Sequence, residues 1–354
     1  MSGMSSKRII AVLILIFLAS VLSAQGKIRT FKQGGNDDSI TSVIFLNDGT
    51  RLIASSLYDD IVMWDVQTGK KVWQFNFEGE QKNERDYFVT KIYHLALSSD
   101  QSKLVLIRDR FRVVSGTFKE DEWQVVLISV ENRTEQQIIY RSKELIGSVA
   151  FSADNQLLAW SENDKIYLWN MKAKAETRSV EMPGCIFTLA FSSDSKLLAA
   201  GLNWATSCKY DPGAEGLIIL NPENGERVKT SFGPGPIRDL VFTPNGQLLI
   251  ATPLDTPGEV LVWNAESWDR LHILKNPEIP AERLSLSADG NYLAAAFGLS
   301  NGGYIYVWKL ASDVEPRKFR INEGIWSINV SPNGETLAVG TEHGKIKLIP
   351  IRRG

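Results

Sequence analysis

The sequence predicts an all-β fold, a seven-bladed β-propeller of four-stranded antiparallel blades, on three observations. A short motif recurs seven times, a further apolar run follows each copy, and one strand-like segment at the start of the chain is left over. The motif is clearest at Phe151–Ala159, FSADNQLLA. The other copies are FLNDGTRLIA from Phe45, LSSDQSKLVL from Leu97, FSSDSKLLAA from Phe191, FTPNGQLLIA from Phe242, LSADGNYLAA from Leu286 and VSPNGETLAV from Val330. Their starts lie 40 to 54 residues apart, the spacing of a propeller blade.

Each copy reads as a hairpin in which strand a ends at the aromatic or aliphatic residue, Asp-Gly, Asn-Gly or a polar substitute turns the chain, and strand b begins near the leucine. The apolar run that follows is strand c: IVMWD at Ile61, VVLIS at Val125, IYLWN at Ile166, LIILN at Leu217, VLVWN at Val260, IYVWK at Ile305 and IKLIP at Ile346. A polar turn then leads to an outer strand d, as in QTGKKVWQF from Gln67 and PENGERVKT from Pro222. Inner stretches such as LLAW and VLVW are apolar at neighbouring positions, so both faces of the sheet are covered. The outer strands admit Lys and Arg, which suits an edge at the rim.

The seventh unit reaches strand c and has no room for strand d before Gly354. The segment KIRTFK, from Lys27 to Lys32, belongs to no other unit. It is predicted to pair with the last blade and close the ring.

Strand c also carries a family resemblance. MWDV at Met63, with LWN at Leu168, VWN at Val262 and VWK at Val307, resembles the WD-repeat family of β-propellers, as does the a–b hairpin motif. The resemblance covers roughly residues 27 to 351. Among the strand c runs only Trp64-Asp65 is a literal Trp-Asp pair, and the Gly-His dipeptide that opens many repeats of that family is absent.

The first 25 residues stand apart. Lys7 and Arg8 precede the apolar run Ile9–Leu22, which is short for a bilayer span and suits a secretory signal ending near Ala24. Residues 1–24 are therefore predicted to be a signal peptide and 25–354 the propeller of a secreted or periplasmic protein. The alternative is an uncleaved segment that anchors the chain to the membrane. Cys185 and Cys208, the two cysteines, fall at the start of strand a and in the b–c insertion of one blade, and a disulfide between them is expected in such a compartment.

A formal net charge of −2 offers no basic surface for nucleic acid. The three histidines, His94, His272 and His343, fall in different blades and make no metal set, with His94 expected in packing. No phosphate-binding glycine loop or zincin motif is present. The sequence accordingly reads as a monomeric, non-catalytic scaffold without a cofactor, whose partner is a protein or peptide. The competing class is an extracytoplasmic propeller enzyme, a metal-assisted hydrolase or lactonase-like protein, with channel carboxylates drawn from Glu120, Asp121, Glu122, Asp211, Glu215 and Asp255.

Alignment of the seven copies locates a binding face. Ile40, Ile92, Ile146, Ile186, Ile237, Ala281 and Ile325 share one core position of strand a, and Val43, Leu95, Val149, Leu189, Leu240, Leu284 and Ile328 share another three residues on. A spacing of three cannot fit a strictly alternating strand, so a bulge is predicted at each entry. Between the core positions the residues are Thr41, Tyr93, Gly147, Phe187, Arg238, Glu282 and Trp326, which share no property. By the family geometry, the longest connections (Glu78–Val89, Arg108–Trp123, Leu202–Gly216, Thr252–Glu259 and Leu299–Gly303) open on the same face. Tyr93, Phe187, Arg238, Glu282 and Trp326, with Arg110, Trp204 and Tyr210 from the insertions, are the predicted contact residues.

Overall fold

The computed structural model describes residues 28–352, apart from 36–37, 59, 78–80, 84–85, 133–135, 204–215, 234, 276–278, 299–301, 311 and 313. The predicted signal segment, Trp204, Cys208 and Tyr210 lie outside the described residues. Among those residues no helix is long and apolar enough to cross a membrane.

Seven antiparallel sheets form the seven blades. The first is Ile40–Phe45, Arg51–Ser56, Asp60–Asp65 and Lys71–Asn76, in sequence order from the inside outwards. The innermost strands of successive blades touch one another around the ring, the last against the first. Strand b is covered on both faces: Leu52, Ile53 and Ala54, and likewise Leu249, Ile250 and Ala251, have no exposed surface. Alternate side chains of one strand therefore pack into different inter-blade cores, as Leu104 and Leu106 do against Ile53 and Met63 on one side while Val105 and Ile107 meet Trp160 on the other. The outer strand Ala175–Glu181 is almost wholly exposed.

The repeated motif has a specific chemical role. In the second blade the Ser98 hydroxyl donates to Asp100 (2.6 Å) and accepts from the Lys103 amide (2.9 Å). The same staple recurs as Ser152–Asp154, Ser192–Asp194, Thr243–Asn245, Ser287–Asp289 and Ser331–Asn333. One residue per turn has positive φ, supplied by Gly49, Gly246, Gly290 and Gly334 or by Gln101, Asn155 and Ser195. A small polar residue, an acid or amide, and a left-handed position thus give the motif its spacing.

Ring closure is as predicted, with the strand beginning at Arg29. Arg29–Lys32 pairs antiparallel with Lys345–Pro350, placing Thr30 opposite Lys347 and Phe31 opposite Ile346. The segment also grips the first blade. The Phe31 ring stacks on Trp64 at 5.3 Å, the Trp64 indole N–H donates to Gln33 (3.0 Å), and Arg29 donates to the Val66 carbonyl (2.6 Å).

The second blade departs from the expectation of long loops. Its strands Asp86–Leu97, Lys103–Val114 and Thr117–Ser129 run 12, 12 and 13 residues, against six in most others, and a short strand Gln81–Asn83 adds to the edge. The six extra residues per strand project the sheet about 20 Å beyond its neighbours. Much of the stretches read as connections, Glu78–Val89 and Arg108–Trp123, is therefore sheet. The reason is alternation with period two. Arg110 lies opposite Glu122 and Arg112 opposite Glu120, while Phe111 and Val113 take the other side and are buried. Ser115 and Gly116, both at positive φ (49° and 77°), close the hairpin.

Candidate binding face

Each blade's strand a begins, and each b–c turn lies, on the same face of the ring. The register shifts within strand a of every blade, between Ile40 and Ser42 in the first and between Ile237 and Asp239 in the fifth. The predicted bulge is present seven times. It lets two core residues three apart both face inward and turns the intervening side chains toward the face and the channel mouth.

Not every intervening position is free for contact. Thr41 is buried and its hydroxyl lies 2.9 Å from that of Ser55. Gly147 sits where a Cβ would come within 2.6 Å of the Ile186 carbonyl oxygen of the next blade. In the first and third blades, therefore, this position is structural. The other five form an aromatic and charged rim. Tyr93 and Phe187 are each 36% exposed, the Tyr93 ring lies 5.0 Å from that of Trp123, and the Arg238 guanidinium lies over Phe187 at 5.6 Å. Arg238 Nε and Glu282 Oε2 are 3.3 Å apart, an ion pair across the fifth and sixth blades. The carbonyl of half-buried Trp326 accepts from Arg283 (3.1 Å). Arg110 stands on the projecting sheet with its guanidinium 3.8 Å from the centre of the Phe88 ring.

A shallow depression beside Phe187 is lined by Leu145, Gly147, Asn163, Cys185 and Ile186. Cys185 is buried and disulfide-bonded. Cys208, the one other cysteine in the sequence, is outside the described residues, so the pairing between the two stays a proposal.

The residue that sequence reasoning misplaced is His94. It was expected in packing, but its side chain is exposed on the innermost strand. Water reaches it while protein surrounds it, the setting of a channel-lining group. That enclosure, reinforced by the charge of Arg283, holds its pKa down at about 4. Asp239, at the same level of the fifth blade, is pushed above the usual carboxylate range by burial, against the opposing pull of Arg283. No group of three or more His, Cys, Asp or Glu side chains among the described residues is arranged to hold a metal ion. Glu122, one of the carboxylates considered for such a site, is instead paired with Arg141 at 2.5 Å.

At the seventh blade Glu323 sits between Lys345 and Lys347, each 3.0 Å away. Burial works against its ionisation, but the two ammonium groups and the Thr341 hydroxyl outweigh it and lower the pKa to about 2. A carboxylate depressed in the folded state adds stability that is complete above its unfolded value near 4.5 and disappears as pH falls toward 2. Glu323→Gln should therefore unfold more easily than wild type at pH 6, and the two denaturant midpoints should converge as the pH is lowered through that window.

Comparison with known proteins agrees with the architecture. The family model for the WD domain, G-beta repeat, matches residues 25–65 and 317–349. These are the closing strand with the first three strands of the first blade, and the end of the sixth blade with most of the seventh, which are neighbours in the closed ring. "Protein FIZZY-RELATED 3" of Arabidopsis thaliana is 17% identical over 326 residues, 92% of this chain and 61% of the relative. "Protein NEDD1" of Homo sapiens is 23% identical over 206 residues, 57% of this chain and 29% of the relative. The chain spans less than two thirds of the length of either. Seven four-stranded blades and two matched segments that meet at the ring closure together support a WD-repeat β-propeller.

Proposed function

We propose that the protein is a non-catalytic scaffold that binds a protein or peptide through the face where strand a enters. The observation that carries this reading is the concentration of exposed aromatics and partly buried charge on that face. Tyr93, Phe187, Arg238 and Trp326 surround the channel mouth, and the sheet of the second blade rises beside them. The opposite face carries the Ser–Asp staples, whose side chains are occupied in holding the turns. Aromatic and arginine side chains on a rigid scaffold are the usual anchors of a protein interface.

The proposal includes an extracytoplasmic setting. Residues 7–24 read as a secretory signal, and a disulfide at Cys185 suits an oxidising compartment. Mass spectrometry of the alkylated, unreduced mature protein tests both: an N-terminus near Gln25 and no alkyl group on Cys185 or Cys208 are expected.

Capture of the native partner by immobilised protein tests the face. Phe187→Ala with Trp326→Ala should weaken capture by about 2 kcal/mol or more, roughly thirtyfold. Asp289→Ala, in an a–b turn on the other face, should leave it unchanged. Loss of capture in the turn variant alone would put the interface on the wrong side.

A further inference from the structure

The pairing that closes the ring sets two lysines directly against each other. Lys32 of the closing strand lies opposite Lys345, and Thr30 lies opposite Lys347. Phe31 and Ile346, the pair between them, belong to the core shared with the first blade, whereas Ile349 belongs to the core shared with the sixth. Strand alternation therefore turns Lys32, Lys345, Thr30 and Lys347 together toward the sixth blade. Residues directly opposite on one face of an antiparallel pair have Cβ atoms about 5 Å apart, and diagonal neighbours lie about 7–8 Å apart. Three lysines thus rise from one small area of sheet.

A single carboxylate answers them. Glu323, in the connection from the sixth blade to the seventh, holds Lys345 and Lys347 at 3.0 Å each through the same oxygen, Oε1, while its Oε2 accepts from the Thr341 hydroxyl (2.9 Å). Two ammonium groups are fixed in place and one of their charges is neutralised. The side chains of Lys345 and Lys347 are 35% and 18% exposed, so this pair of like charges is held partly out of water. Glu342, the next acid along the chain, is engaged elsewhere: it accepts from the Gly324 amide (2.8 Å) and lies 3.6 Å from His343. Lys32 is exposed and makes no ion pair among the described residues. Protection of an outer edge is the ordinary reason for a lysine there, but it does not call for two set against each other. Like charges directly opposite in a sheet are destabilising.

We propose that Lys32, Lys345 and Lys347 form a binding site for a phosphate group at the seam of the sixth and seventh blades. Three ammonium groups against one carboxylate leave the charge that a dianion balances. Each ammonium is a compact point charge with three donors, and three of them around one spot suit a tetrahedral oxyanion. A planar carboxylate is instead the partner of an arginine fork, which this trio lacks. Thr30 adds a hydroxyl on the same face. Because Lys32 stands on the outermost strand, one phosphate oxygen is left toward solvent, where an ester substituent has room. A dianion seated between Lys32 and the tethered pair also strengthens the strand pairing that closes the ring. The site is independent of the binding face proposed above, and the rim substitutions leave it intact.

The test is calorimetric titration of the mature protein at slightly alkaline pH, with the ionic strength held constant by sodium chloride. The probes are sodium phosphate, glycerol 3-phosphate and sodium acetate. Phosphate should bind at one site per chain and raise the denaturant midpoint saturably over the same concentration range. Acetate should do neither. Lys32→Gln should weaken phosphate binding by about tenfold or more, as expected for one charge-assisted hydrogen bond, and Lys32→Arg should retain part of the affinity. Without phosphate, Lys32→Gln should be at least as stable as wild type, because the like-charged pair is gone, and this also shows that the variant is folded. No saturable binding of phosphate, equal binding of acetate, or a phosphate response that survives Lys32→Gln would overturn the site. Glycerol 3-phosphate distinguishes the source, and either result upholds the site: binding comparable with phosphate means that it takes a phosphate ester, and exclusion of the ester means that it takes the free ion.

Discussion

A chain beginning at Gln33 instead of Gln25 should lose several kcal/mol of stability, although the eight residues removed resemble a disposable tail after a signal. Four of them, Arg29–Lys32, supply the outer strand of the last blade, and Phe31 is buried between that blade and Trp64. Removing a buried phenylalanine side chain alone costs about 3–5 kcal/mol. The deletion also strips the ladder from Lys345–Pro350 and leaves an open edge. At about 2–4 °C per kcal/mol for a large domain, the melting temperature should fall by about 10 °C or more, with aggregation on heating. Phe31→Ala in the otherwise intact chain should reproduce about half of the loss. Equal midpoints for the two starting points would show that the strand does not hold the ring.

Trp160→Ala should be comparably damaging, and Trp160→Phe much less so. Trp160 has no exposed surface, stacks on Tyr167 at 5.5 Å and lies 5.1 Å from Tyr140, where the second and third blades meet. Its truncation opens a cavity between two rigid sheets that cannot collapse into it, for about 3–5 kcal/mol. The indole N–H, however, has no hydrogen-bond partner in this core. Phenylalanine removes that unsatisfied donor, which relieves about 1–3 kcal/mol, and the variant should stay within about 1.5 kcal/mol of wild type. Chemical denaturation of both variants checks the contrast, and equal losses would mean that the indole N–H is satisfied after all.

Blade number, strand order, the entry bulges and the closing strand were all legible before any coordinates, because each is written in the spacing of like residues. A staple needs a hydroxyl two residues before a carboxylate or amide, and a bulge needs two core residues three apart, so both survive as patterns. The projecting sheet of the second blade was hidden by its length. Read as an insertion, RDRFRVV suggested a loop, whereas the alternation of Arg110 and Arg112 with Phe111 and Val113, and the Ser-Gly that follows, were the signal of a continuing hairpin. The rim was legible only in part. Tyr93, Phe187, Arg238, Glu282 and Trp326 do gather at the mouth, but Thr41 and Gly147 show that variation among repeats also marks seams where one blade approaches the next too closely for choice. His94 was misread for a related reason. Its strand neighbours are apolar, and only the ring shows that its counterparts Ser42 and Ser148 accept from the Leu95 and Leu189 amides of the next blade while it does not.

Hydrogen–deuterium exchange of the mature protein, free and with its captured partner, tests the binding face most directly. Slower exchange is expected at the entry ends of the a strands, around Tyr93, Phe187, Arg238 and Trp326, and along the projecting hairpin between Arg108 and Trp123. The stapled turns at Asp100, Asp194 and Asp289 should exchange alike in both states. Protection centred on those turns, with the channel mouth unchanged, would contradict the account.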